Sequence, residues 1–103
     1  MTLGRLAAKT LGAGVNTLIY TVPERSNGFS TAVNISNRND TDVKIRIALV
    51  DGVVADLSSE DYIEYDVTVR ANGVLERDGI DMTIGQSIVG YSDTGNVSFT
   101  MWS

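Results

Sequence analysis

Residues 28–50 constrain the fold more than any other stretch, because two alternating apolar runs there flank one polar turn. In the first run Phe29, Val33 and Ile35 point one way, while Ser30, Ala32, Asn34 and Ser36 point the other. In the second, Val43, Ile45, Ile47 and Leu49 share a face, with Lys44 and Arg46 opposite. Successive side chains of a strand leave on opposite sides. A period of two on both sides of residues 37–42 therefore predicts a half-buried β-hairpin on which the rest of the chain packs.

The same alternation recurs along the chain. Residues 15–22 (VNTLIYTV) read as a strand with Leu18, Tyr20 and Val22 on one face and Ile19 on the other, ended by Pro23, which has no N–H for a ladder. Residues 61–69 place Ile63, Tyr65, Val67 and Val69 inward and Tyr62, Glu64, Asp66 and Thr68 outward. Asn72-Gly73 is the strongest hairpin dipeptide present. Short extended pieces follow at 74–77 and 80–84, then two last strands at 87–92 and 96–102. In the final one Val97, Phe99 and Met101 form an inner row, and Ser98, Thr100 and Trp102 an outer row. Between 50 and 61 the chain reads as a connection, in which residues 58–61 admit a single helical turn.

Residues 1–14 carry Leu3, Leu6 and Leu11 but are broken by Gly4, Gly12 and Gly14, so they read as an extended arm or an edge strand. Such a strand can pair with its own sheet or with a neighbour's. No helical period is sustained. Strands at this spacing predict an all-β domain, an antiparallel, jelly-roll-like β-sandwich of about eight short strands over residues 15–103 with an extended N-terminal arm.

With 103 residues the chain can bury one core. It has no cysteine and no histidine, which removes disulfides, thiolate metal sites, the usual general base and the commonest metal ligand. The expectation is a non-enzymatic chain with no cofactor and no metal. A net charge of −5, with lysines and arginines scattered, argues against nucleic acid as a partner. No apolar segment approaches the ~20 residues of a membrane span, and no secretory leader is evident, so no membrane partner and synthesis in the cytoplasm are expected. A small domain without disulfide or metal commonly gains stability by burying surface in an assembly.

Three features resemble sites. Asp51, Asp56, Glu60, Asp61, Glu64 and Asp66 form an acidic run, but calcium needs converging oxygens and a catalytic pair needs two facing acids, so a solvated face fits better. The Asx-rich loop 37–42 has the composition of any tight turn. Outward Ile19, Tyr62 and Trp102, together with Leu3, Leu6 and Leu11 of the arm, are the candidate interface residues, because exposed aromatic groups are enriched at contact cores.

Read in order, Tyr20-Thr21-Val22-Pro23, Asn37-Arg38, Arg46-Ile47-Ala48, Ile63-Glu64-Tyr65-Asp66, Asn72, Gly79-Ile80, Gly85 and Val97-Ser98-Phe99 make a pattern. It resembles a family of small all-β virion proteins of tailed bacteriophages, over nearly the whole chain after Val15. The departures are a charged turn after the proline, Glu24-Arg25, and the closing Trp102. The resemblance implies an accessory structural role on a head, tail or fibre, with no active-site residues to carry over. It implies a capsid decoration or cement protein, or a tail-associated accessory, located in the virion. The partners would be copies of itself, a trimer favoured, and virion proteins such as the major capsid or tail protein. In that setting, removal of residues 1–14 is expected to abolish attachment and leave the fold intact. The alternative is a host-surface recognition module of a tail fibre for a glycan or receptor, against which the scarcity of aromatic residues in the predicted loops counts.

Overall fold

The computed structural model describes residues 4–24 and 28–103. Its strands in chain order are β1 (Arg5–Leu11), β2 (Thr17–Thr21), β3 (Phe29–Asn37), β4 (Val43–Asp51), β5 (Tyr62–Val69), β6 (Val74–Met82), β7 (Gln86–Ser92) and β8 (Val97–Trp102). They form two antiparallel sheets of four strands, ordered β1-β8-β3-β6 and β2-β7-β4-β5. The architecture is all-β and sandwich-like. Inner rows from both sheets meet in one core, in which Phe99, Ile35, Ile45, Ile47, Ile88 and Met101 are fully buried. Gly90 of β7 lies against Phe99 of β8 so closely that a Cβ there would sit 2.7 Å from the ring. None of the described helices is long and apolar enough to cross a membrane.

The predicted hairpin is not a hairpin. Its alternation holds, with Val33, Ile35, Val43, Ile45 and Ile47 buried and Lys44 exposed. Its pairing does not hold, because β3 bonds to β6 and β8 whereas β4 bonds to β5 and β7. Residues 38–42 carry the chain from one sheet to the other. Two strands that face each other across a core show the same alternation as two that share a ladder, so the period fixes the dry rows but not the hydrogen-bond partners. Asn72-Gly73 is likewise a turn between sheets, with Asn72 in the left-handed region (φ 56°) and Gly73 N–H donating to Arg70 O at 2.8 Å. Among the described residues only β4 and β5 pair as consecutive strands.

Asn37 secures that crossing. It is 1% exposed, and its amide nitrogen donates to the carbonyls of Thr41 (2.9 Å), Val69 (3.1 Å) and Arg70 (3.0 Å). Its oxygen accepts from the backbone N–H and the side-chain amide of Asn39, which in turn donates to Gly95 O. Loops 38–42, 70–73 and 93–96 are thereby tied together at one end of the molecule.

Bulges account for the residues whose facing departs from simple alternation. A bulge makes two residues oppose one on the partner strand, which reverses the facing of everything beyond it. In β2 the register shifts between Leu18 and Tyr20, and Ile19 enters the core at 3% exposure while Tyr20 packs against it as well. In β5 the register shifts twice, between Val67 and Glu64 and again between Glu64 and Tyr62, so Tyr65 turns outward at 56% exposure, with Asp66 at φ 53°, while Ile63 beyond the pair packs on the core again. In β6 the bulge falls at Asp78-Gly79, with Gly79 at φ 69°, which joins the two short pieces predicted at 74–77 and 80–84 into one strand. In β1 the shift at Leu6 leaves both Leu6 and Ala7 packed on the core.

Residues 5–11 are the edge strand of the first sheet, paired with β8 over six positions, and Leu11 is 2% exposed. Both flanks where the two sheets end are bridged by charged side chains. Lys9 of β1 donates to Leu18 O of β2 at 2.7 Å, and Arg77 of β6 lies 3.5 Å from Glu64 of β5. Glu64 thus leans on the opposite sheet, where a solvated outward position was expected.

Candidate interaction surfaces

Each sheet turns one face away from the core, and the two outer faces differ. On the second sheet, Ala48, Val50 and Val89 form a small cluster roofed by Val54 and Leu57 of the β4–β5 connection and by Tyr62, the first residue of β5. That connection holds two single 3₁₀ turns, Val54–Asp56 and Ser59–Asp61. Each is fastened by a carboxylate: Asp56 accepts from Val53 N–H and Asp61 from Ser58 N–H, both at 2.9 Å. The outer apolar half of this sheet is covered by the chain itself.

Beside the roof lies a ladder of aromatic rings and one guanidinium. Arg46 of β4 has its Cζ 4.2 Å from the ring centre of Tyr65 and 4.3 Å from that of Tyr91. Tyr62 meets Tyr65 edge-on at 4.9 Å. Arg46 Nε donates to Asp66 at 2.7 Å. This hydrogen bond raises the guanidinium pKa above its ordinary value, outweighing an opposing effect of desolvation. The register explains the ladder, since Arg46 pairs directly with Tyr91 and the β5 bulge swings Tyr65 to the same side. The guanidinium is stacked on two rings and tied to Asp66, which offsets its charge.

On the first sheet the outer rows of the two central strands are small and uncharged: Ser98 and Thr100 on β8, and Ser30, Ala32, Asn34 and Ser36 on β3. They end at Trp102, 46% exposed. A shallow depression of about 250 Å³ opens there, with Trp102 as a wall, Ala32 and Gly79 lining it, and Ser30, Asp78 and Ser103 at its margin. Gly79, at the β6 bulge, lines this room with backbone alone, and its left-handed φ of 69° disfavours any larger residue there.

The six candidate interface residues therefore separate. Leu3 lies outside the described residues. Leu11 and Ile19 are core residues, and Leu6 packs on that core from the edge, so these three serve the chain's own interior. Ile19 is a correction to its outward reading, caused by the β2 bulge. Tyr62 is half-buried on the outer cluster, and Trp102 is exposed. The structure does not bring these last two together, as they belong to different sheets. Sequence reasoning missed Arg46, Tyr65 and Tyr91, three residues that meet on one surface. A bulge between a tyrosine and an aspartate leaves no local signature, although Arg46 on a predicted outward row could have prompted a search for aromatic partners.

The acidic run disperses. Asp51 accepts from Gln86, Asp56 and Asp61 close their own turns, Glu64 meets Arg77 and Asp66 meets Arg46. Among the described residues no three acids converge as metal ligands would. Compared with protein-family models, curated proteins and solved structures, the chain matches none.

Proposed function

We propose that the chain is a non-enzymatic structural part of a bacteriophage virion, a capsid decoration or cement protein or a tail-associated accessory. It stabilises the particle through contacts with its own copies, in a trimer, and with larger virion proteins such as the major capsid or tail protein. The reading takes the strand order β1-β8-β3-β6 over β2-β7-β4-β5 as that of a jelly roll, an architecture common among capsid and lectin domains. The observation that carries it is the stacked ladder of Tyr62, Tyr65, Arg46 and Tyr91. Tyrosine and arginine dominate the energetic centres of protein interfaces, and a stacked, paired arginine loses little side-chain freedom on contact. Copies carrying a charge of −5 repel one another, so contact is favoured where a charge is already offset, as Asp66 offsets Arg46.

Light scattering on the purified chain, with imaging of intact particles for its repeating density, tests this. The expected results are a trimer that decorates particles and a Tyr65→Ser variant that folds normally but decorates weakly. A chain that stays monomeric at high concentration and never enters particles would sink the proposal. A second reading, the host-surface recognition module, is favoured by one observation, the depression beside Trp102.

A further inference from the structure

We infer that the depression beside Trp102 is a binding site for the ring of a neutral saccharide, an inference that rests on the second reading above and gives that reading a location and a ligand class. Size is the first argument. At about 250 Å³ the site falls below the roughly 300–1,000 Å³ of pockets that enclose drug-sized ligands, and it is open, which suits one ring of a longer chain lying along a surface. Chemistry is the second. A pyranose has a C–H face that rests on an aromatic ring and a rim of hydroxyls that needs hydrogen-bonding partners. Trp102 supplies an exposed ring on a sheet, where its backbone is fixed on both sides by β1 and β3.

Gly79 and Ala32 line the space beside that ring without large side chains, so the lining is mostly apolar, and Asp78, also a lining residue, is the nearest source of a carboxylate acceptor for the hydroxyl rim. Ser30, which also lines the depression, donates its hydroxyl to Asp81. Charge sets the specificity. Asp78 and Asp81 on the same side of β6, in a chain of net charge −5, oppose a sialic or uronic acid and favour neutral or N-acetylated hexoses. The aromatic platform scarce in the predicted loops is thus present on a sheet face.

Trp102 is the only tryptophan in the chain, so its intrinsic emission reports on this site alone. The full chain is titrated with glucose, galactose, mannose and their N-acetylated forms, and with sialic acid, and is applied to a glycan array beside Trp102→Ala and Asp78→Asn variants whose melting is recorded. The inference expects a saturable emission change with one or more neutral sugars and none with sialic acid. It expects loss of array binding in Trp102→Ala, and affinity reduced by about ten- to a hundredfold in Asp78→Asn, the range for loss of a hydrogen bond to a charged group. Array binding that survives in a folded Trp102→Ala protein would leave a glycan reading standing and overturn this site. An unchanged emission with every sugar and an empty array would overturn both.

Discussion

At the scale of single residues, two positions carry more of the fold than their size suggests. Gly90 sits mid-strand where Phe99 crosses from the other sheet, and a methyl group there cannot be placed without moving the ring. Gly90→Ala is expected to lower stability by about 1–3 kcal/mol, the usual cost of overpacking, measured by urea or thermal unfolding. Asn37 satisfies three carbonyls with one amide group. Asn37→Ala is expected to cost about 2–3 kcal/mol through buried acceptors left without donors. Asn37→Asp, nearly the same size, is expected to cost more, because a carboxylate would face those oxygens. If the aspartate variant melts above the alanine one, the Asn37 amide is not what ties these loops together. Of these two residues, a glycine inside an apolar strand is a visible warning of close backbone approach, whereas Asn37 looks like an ordinary turn residue until its partners, far apart in sequence, are brought to it.

At the scale of elements, β1 is the point where structure and sequence expectation part furthest. Removal of residues 1–14 was expected to spare the fold, yet it would strip β8 of one partner strand and empty the place of Leu11. A buried leucine truncated to alanine alone costs about 2–5 kcal/mol, a large share of the roughly 5–15 kcal/mol by which a domain is stable. The shortened chain is expected to lose its cooperative thermal transition, followed by circular dichroism. A sharp, unshifted transition would show that β1 is dispensable after all.

Strand identity and the inner rows of β3, β4 and β8 were legible because period two survives wherever no bulge intervenes. The facing of Ile19 and Tyr65 was not, since one inserted residue reverses the row and only Gly79 announced its bulge by residue type. The site followed the same rule. Trp102 lies on an uninterrupted strand and was found, while the ladder around Arg46 depends on a bulge and was missed.

At the scale of the whole molecule, the first strand pairs with the last, and nearly every turn passes from one sheet to the other. Local hairpins that could form early are therefore confined to β4 and β5. Loop closure over most of the chain must precede the contacts that reward it, which places refolding in the range of about milliseconds to seconds typical of all-β domains. Stopped-flow refolding from urea, followed by Trp102 emission, measures it, and a microsecond phase carrying the full amplitude would contradict this topology.

The bridged flanks bear on what happens when many such chains are crowded together. A sheet that ends in unpaired N–H and C=O groups invites another chain to extend it, and repeated extension gives fibrils. Here the strands that end each sheet carry Lys9, Glu64 and Arg77 turned across the gap. An incoming strand would have to displace or bury those charges without replacing their partners. Growth into filaments is disfavoured at the margins, which shifts self-contact in a dense solution of this protein toward its broad faces.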